Sequence, residues 1–443
     1  LREVPGNWRT LRLKDVIEKL ESGVSVNASD EPATGNNIGV LKTSCVGKDS
    51  FIPDENKSVW PTELNRVSTP VRAGRIIVSR MNTPQLVGAS AYVPKNYPNI
   101  FLPDRLWQTV FFSSVRLDSK WLSLLIGCKD FRYLLSTVAT GTSPSMKNLG
   151  QDKFLSISIP FPSHAEQTAI ATYLDTKTAQ IDRQIDLLGQ KATQYGKLKQ
   201  SLINETVTRG LDKAVPMKDS GVICIGLIPR HWKKLRLKDL GTIETSSIDK
   251  KTIENEKLVK LVNYSDIYGN LKKEIFNQVG YMIVSANAKQ IKDKNLNQGD
   301  VLFTPSSETY EDIGVSSVVM ENLIDTLYSY HILRLRFHKK IELNFKKYLF
   351  NNNYVQTYFS QSAKGTTRKI LGLTQFNNLE LVFPPAYKEQ KEIAAYLDHK
   401  TTQIDRIINV IGSQIDKLKD LRKALINDVV TGKIKVVSGG IAV

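Results

Sequence analysis

Arg80, Asn82, Thr83 and Gln85 bring a guanidinium, two carboxamides and a hydroxyl into one six-residue stretch, Arg80-Met81-Asn82-Thr83-Pro84-Gln85. A guanidinium matches the two acceptors on a guanine edge, and a carboxamide matches the donor–acceptor pair of adenine. A second stretch, Pro305 to Tyr310, offers Ser306, Ser307, Glu308, Thr309 and Tyr310. There a carboxylate can accept from cytosine, and hydroxyls suit bases or phosphates. Thr43, Ser44 and Lys48 occupy positions that match Asn263, Tyr264 and Tyr268 after a preceding apolar run. Lys147, Lys364, Arg368 and Lys369 flank two Gly-Thr turns, Gly141-Thr142 and Gly365-Thr366, and suit phosphate oxygens. Tyr330 and His331 form an adjacent aromatic pair placed for binding. A single such residue is more often a solvated loop side chain. The set is stronger than its members, because the two stretches share a scaffold and differ in their side chains.

Catalytic signatures are missing. Phe383-Pro384-Pro385-Ala386-Tyr387 has the outline of an amino-methyltransferase Asn-Pro-Pro-Tyr motif, but Phe383 has no amide to hold a target amino group. No glycine-rich dinucleotide loop and no Gly-x-x-x-x-Gly-Lys-Ser/Thr phosphate loop occurs. The five histidines lack a metal-binding His-x-x-x-His spacing, and His399 falls in a polar helical stretch. Cys45, Cys128 and Cys224 are scattered and read as free thiols of a reducing cytoplasm. No apolar run reaches membrane-spanning length. The reading is therefore a cytoplasmic binding protein without a cofactor of its own.

Charge supplies the partner class. The 443 residues carry a net charge of +17, which suggests a polyanion. The excess is not uniform: residues 163–210 are net +1 and residues 386–435 net +3, leaving +13 for the rest. Taken with the base-edge chemistry of the candidate loops, this excess makes double-stranded DNA the expected partner.

The elements that position these residues come in duplicate. Glu166-Gln167, Tyr173-Leu174-Asp175 and Gln180-Ile181-Asp182-Arg183 recur as Glu389-Gln390, Tyr396-Leu397-Asp398 and Gln403-Ile404-Asp405-Arg406, each 223 positions later. Val4-Pro5-Gly6-Asn7-Trp8 recurs as Ile228-Pro229-Arg230-His231-Trp232. Trp8 and Trp232 read as buried anchors of their domains in preference to base-stacking groups. Between these markers lie matching strand patterns, among them Arg75–Ser79 and Val301–Thr304, then helical segments Ser119–Thr137 and Asn344–Gln361. The fold class is α/β (α+β), with recognition domains at 1–160 and 228–384, long helices at 161–210 and 385–435, and a linker at 211–227.

Ser163 and Glu166 have capping-box spacing. A 4-3 apolar spacing then runs from Leu174 to Leu202, and again from Leu397 to Val429. The second run makes a rod of roughly 48 Å at ~1.5 Å per residue. The first is weakened by Gly189, Ala192, Gly196 and Lys199. A lone helix exposing such a seam is unstable in water. The economical solution pairs the two copies antiparallel within one chain. Asp175, Arg183, Asp398 and Arg406 are the helix positions expected to dock partners.

These residues resemble the specificity subunit of type I restriction–modification systems. The doubled Pro-x-x-Trp opening, the Gly-Thr turns, the proline-rich exits and the Glu-Gln–Tyr-Leu-Asp–Gln-Ile-Asp helices carry the resemblance, together with Leu202-Ile203-Asn204 and Leu425-Ile426-Asn427. It implies two target-recognition domains that each bind half of an asymmetric bipartite DNA site, on helices that set the spacing and dock two methyltransferase subunits. Restriction subunits complete the complex, and S-adenosylmethionine, ATP and Mg belong to the partners. Two rivals make different expectations. A basic coiled-coil adaptor would show no sequence-specific DNA binding, and a self-contained enzyme would bind cofactor alone.

Overall fold

The computed structural model describes residues 5–47, 50–141, 145–222, 224–437 and 440–441. Two compact units form, one of Leu1–Gly189 with Ser413–Val443, the other of Gln190–Gly412. The first is made of two segments and the second of one, and each contains part of both long helices.

The first unit is built around the strand Ile76–Ser79, at the centre of an antiparallel sheet with Leu106–Phe111, Ile17–Ser22 and Ser90–Tyr92. Its Ile-Ile-Val run is apolar on both faces because both faces are covered. Ile76 and Val78 join a helical core with Trp107, Trp121, Phe131 and Phe154. Ile77 points the other way, into a core with Leu41, Val71 and Val93. A second sheet supplies that other core: Gly39–Leu41 lies between Asn56–Ser58 and Tyr97–Phe101, and pairs parallel with the latter. The alternation of side chains across a strand thus assigns one residue type to two cores.

The second unit repeats this plan. Val301–Phe303 is central to a sheet with Leu333–Phe337, Gly241–Thr245 and Ser316–Val319. Val301 and Phe303 enter the core of Trp232, Phe345, Phe359 and Phe376, while Leu302 joins Val262, Ile275 and Tyr328. Lys257–Val262 pairs parallel with Leu323–Tyr328. In both units the opening strand closes on the exit strand in the same register, Arg9–Arg12 on Ser158–Phe161 and Lys233–Arg236 on Glu380–Phe383. The single helical segment expected in each domain is broken into two, Ser119–Gly127 with Lys129–Val138, and Leu343–Phe350 with Asn353–Ser362.

The long helices span His164–Arg209 and Tyr387–Val430. The capping box holds: the Ser163 N–H donates to Glu166 at 3.0 Å, and the Glu166 N–H to Ser163 Oγ at 3.4 Å. Within each unit the helices run antiparallel. In the first, Leu174 and Val429 share a core, and further along Arg422 reaches Asp182 at 3.0 Å. In the second, Val207 and Ile393 share a core, and Lys199 reaches Asp405 at 2.7 Å. Lys199, a weak seam residue by sequence, is the ion-pairing counterpart of Arg422, just as Asp405 is of Asp182. Exposed pairs of this kind contribute only ~0–1 kcal/mol; their role is to fix register, while Leu174, Leu397, Ile404, Ile411 and Val429 supply the burial.

Residues 211–227, expected as a plain linker, contribute to a hairpin in which Met217–Asp219 pairs with Leu227–Pro229. Cys45 and Cys128 are buried, and burial raises both thiols, Cys128 to about 11. They act as packing groups. No helix among the described residues is long and apolar enough to cross a membrane.

Candidate nucleic-acid interface

The candidate loops and the Gly-Thr turns are separated by about sixty residues in sequence and meet in space. Met81–Asn82 forms a short ladder with Lys147–Asn148, and Ser306–Ser307 an equivalent one with Lys369–Ile370. The Leu149 N–H donates to the Arg80 carbonyl at 2.8 Å, and the Leu371 N–H to the Pro305 carbonyl at 2.8 Å. These bonds set the correspondence residue by residue: Arg80 stands where Pro305 does, Asn82 where Ser307 does, Gln85 where Tyr310 does, and Met146 where Arg368 does.

The turns need glycine. Gly141 has φ +154° and Gly365 φ +109°, and a Cβ at Gly365 would lie 2.2 Å from the Arg368 carbonyl oxygen. Gly365→Ala is therefore expected to displace Arg368 and Lys369 while the core stays folded. Discrimination at one half-site should fall by about tenfold or more, the value of roughly one good base contact. Competition gel shifts with single-base variants would check this; unchanged discrimination at both half-sites would refute it.

In the first unit Arg80 is half-buried, with its guanidinium 5.7 Å from the Trp107 ring centroid. Asn82 is not free for base reading. Its Oδ1 accepts from the Thr83 N–H at 2.9 Å and its Nδ2 donates to Ser79 Oγ at 3.2 Å, so the amide shapes the turn. Thr83 and Gln85 are exposed beside it. Lys147 Nζ donates to the Gly141 carbonyl at 3.1 Å. Thr43 and Ser44 begin a short 3-10 turn, and Ser44 Oγ donates to Glu55 at 2.6 Å. Lys48 and Thr142 lie outside the described residues.

The second unit presents a more aromatic face. Tyr264 and Tyr268 stack on one short helix, 5.5 Å apart and 22° from parallel. Burial raises the Tyr264 phenol, against a hydrogen bond with Ser307 that lowers it. Tyr268 donates to Asp312 at 2.9 Å, which raises its pKa, and Thr309 Oγ1 donates to the same carboxylate at 3.1 Å. Asp312, which the sequence reading missed, therefore organises this wall. Its only signal was a carboxylate two positions beyond the loop. Asn263 is buried where it precedes the Tyr264–Tyr268 helix, its N–H donating to Asp266, and Ser307 is buried beneath Tyr264. Both are poor base readers for that reason. Glu308 and Tyr310 are exposed, with Lys369 Nζ 4.3 Å from the Tyr310 ring centroid. Lys369 also donates to the Gly365 and Thr366 carbonyls, while Lys364 and Arg368 are exposed. Tyr330 packs on His331 with ring centroids 3.9 Å apart. Burial, then the charges of Arg368 and Lys250, hold His331 below its ordinary pKa.

The helix positions divide. Asp175 is ion-paired with Lys120, and Asp398 accepts from Lys347 at 2.8 Å and from Tyr348 at 2.6 Å. Both carboxylates fasten a helix to its own recognition domain, while Asp175 stays exposed. Arg183 and Arg406 are exposed. The Glu-Gln motif is structural in both copies. Glu389 accepts from the buried Trp232 indole at 2.8 Å, and Glu166 from the Trp8 indole at 3.3 Å. The expectation that these tryptophans anchor their domains is met. Among the described residues no cluster of His, Cys, Asp or Glu is placed to hold a metal ion.

Comparison with known proteins agrees with this geometry. A family model described as the type I restriction modification DNA specificity domain matches residues 5–191 and again 229–417. The type I restriction enzyme EcoEI specificity subunit of Escherichia coli is 27% identical over 174 residues, spanning 39% of this chain and 29% of that protein. The MjaVIII specificity subunit of Methanocaldococcus jannaschii is 23% identical over 98% of this chain and 94% of its own. In fold, a chain solved in work on complex assembly and conformational transition of the type I R-M system superposes with a TM-score of 0.67 at 15% identity, covering 97% of this chain and 99% of that one. With both halves matched and the same pair of domains present in the fold, this chain belongs to the family of type I restriction–modification specificity subunits.

Proposed function

We propose that this chain reads DNA sequence for a type I restriction–modification complex and performs no catalysis itself. Each unit reads one half of an asymmetric bipartite site, and the long helices set the spacing between the halves. Exposed helix positions, Arg183 and Arg406 among them, dock two methyltransferase subunits. Restriction subunits join the full complex in the cytoplasm, and S-adenosylmethionine, ATP and Mg reside on the partners.

One observation carries this reading. The two units share a ladder bond for bond, yet the side chains on it differ at three of the four aligned positions, with Lys147 and Lys369 alike. Arg80 becomes Pro305, and the lost cation is replaced by Arg368 on the opposite strand, where the first unit has Met146. A duplicated scaffold with divergent reading residues suits two different half-sites, and makes the whole site non-palindromic.

Selection from a randomised duplex pool, followed by gel shifts at several salt concentrations, tests the proposal. A bipartite consensus and a steep salt slope are expected. No consensus with a shallow slope would favour the adaptor reading. The ruler role has its own test. Seven residues added after Gly189 and again after Gly412 lengthen each helix by ~10 Å, close to 3 bp at ~3.4 Å per base pair. The selected consensus should keep its half-sites and widen its spacer; an unchanged spacer would remove the ruler.

A further inference from the structure

Beside the second ladder lies an open groove of about 420 Å³, within the range of small-ligand sites. Ser306, Leu333, Ile370 and Leu373 line it, with Tyr330 and His331 as one wall and Arg368 at its margin. Ile370 is 54% exposed and Leu373 42%, so two apolar side chains face solvent in the groove. The first unit carries polar side chains at the corresponding positions. By the ladder correspondence, Asn148 stands at the place of Ile370 and Gln151 at that of Leu373, each opening its short helix one residue after glycine.

A protein reads stacked bases with side chains that protrude into the duplex groove. A concavity cannot reach those edges; it receives a group that leaves the duplex. Apolar lining disfavours a phosphate there, and the aromatic wall favours a π-face. The cations lie where a flanking phosphate would follow, with Arg368 exposed and the charge of Lys250 felt at His331. His331 is held toward its neutral form, principally by burial, so its ring backs Tyr330 without adding charge to the wall.

We propose that this groove is a nucleobase pocket, which takes one base swung out of the second unit's half-site and stacks it on Tyr330 against Ile370 and Leu373. The first half-site is then read with its duplex intact. The inference rests on the DNA-reading function proposed above.

Extrusion costs a few kcal/mol for a paired base and least for a mismatched one, which provides the test. On the duplex that the full chain selects from a random pool, mismatches are introduced one strand and one position at a time. At one position of the second unit's half-site a mismatch should tighten binding by about tenfold, whereas mismatches in the other half-site should weaken it. Ile370→Asn with Leu373→Gln, which installs the first unit's residues at exposed positions, should abolish the gain and retain salt-dependent binding. Mismatches that weaken binding at every position, with normal binding to the intact duplex, would overturn the pocket alone. Failure to bind any duplex would overturn the DNA-reading function and the pocket with it.

Discussion

Arg80→Ala is expected to relax base preference at one or two positions of a single half-site, by about 1–3 kcal/mol, the discrimination that one bidentate side chain supplies. The expectation follows from how firmly the side chain is aimed. Arg80 continues the buried strand Ile76–Ser79; its N–H donates to the Arg105 carbonyl at 3.0 Å and its carbonyl accepts from Leu149 at 2.8 Å. The backbone is thus fixed from both sides, and the Trp107 ring supports the guanidinium from below. Preorganisation of this kind separates a base reader from a flexible phosphate contact. Arg80→Lys keeps the charge but loses the planar fork, so it should recover affinity without recovering preference. Binding measured against all single-base variants of the selected duplex decides the matter. Uniform weakening on every sequence would show that Arg80 contacts phosphate, and Pro305 at the equivalent place predicts no such effect from the second unit's loop.

Gln390→Ala should cost the second unit about 2–4 kcal/mol, although Gln390 lies in a polar stretch of a helix. Its amide is 1% exposed, accepts from the Glu342 N–H at 2.8 Å, and donates to the Pro384 carbonyl at 2.9 Å. Removing it leaves two buried backbone groups without partners, at ~1–3 kcal/mol each. Gln167 makes the same pair of bonds in the first unit, from Asp118 at 2.8 Å and to Pro162 at 3.0 Å. For units of this size the loss corresponds to a fall in midpoint of roughly 4–16 °C, readable by thermal unfolding. A fall below about one degree would mean that water replaces the amide at no cost, and would remove the structural account of the Glu-Gln motif.

The motif shows what sequence can and cannot convey. That Glu389-Gln390 repeats Glu166-Gln167 is visible as letters, and capping by Ser163 gives part of the reason in the first copy, where the second has Ala386. The rest, a glutamate gripping an indole nearly 160 positions away and a glutamine bridging two segments, depends on contacts that spacing does not encode. Asp175 and Asp398 illustrate the same limit. On a helical wheel they read as unpaired carboxylates; in the fold Lys120 and Lys347 pair with them.

The sequence by itself determined the duplication, the two long helices, several strands of each domain and the chemical classes at the candidate interface. These follow from local periodicity and from a repeat strong enough to align with itself. Tertiary structure alone decided which loops meet. The ladder between Met81–Asn82 and Lys147–Asn148, and its twin in the second unit, join segments about sixty residues apart through backbone bonds that carry no side-chain signature. Those bonds separate Arg80, aimed and supported, from Asn82, whose amide is spent on its own turn. They also set Ile370 and Leu373 beside Tyr330, because nonlocal pairing, and not sequence neighbourhood, brings a surface together.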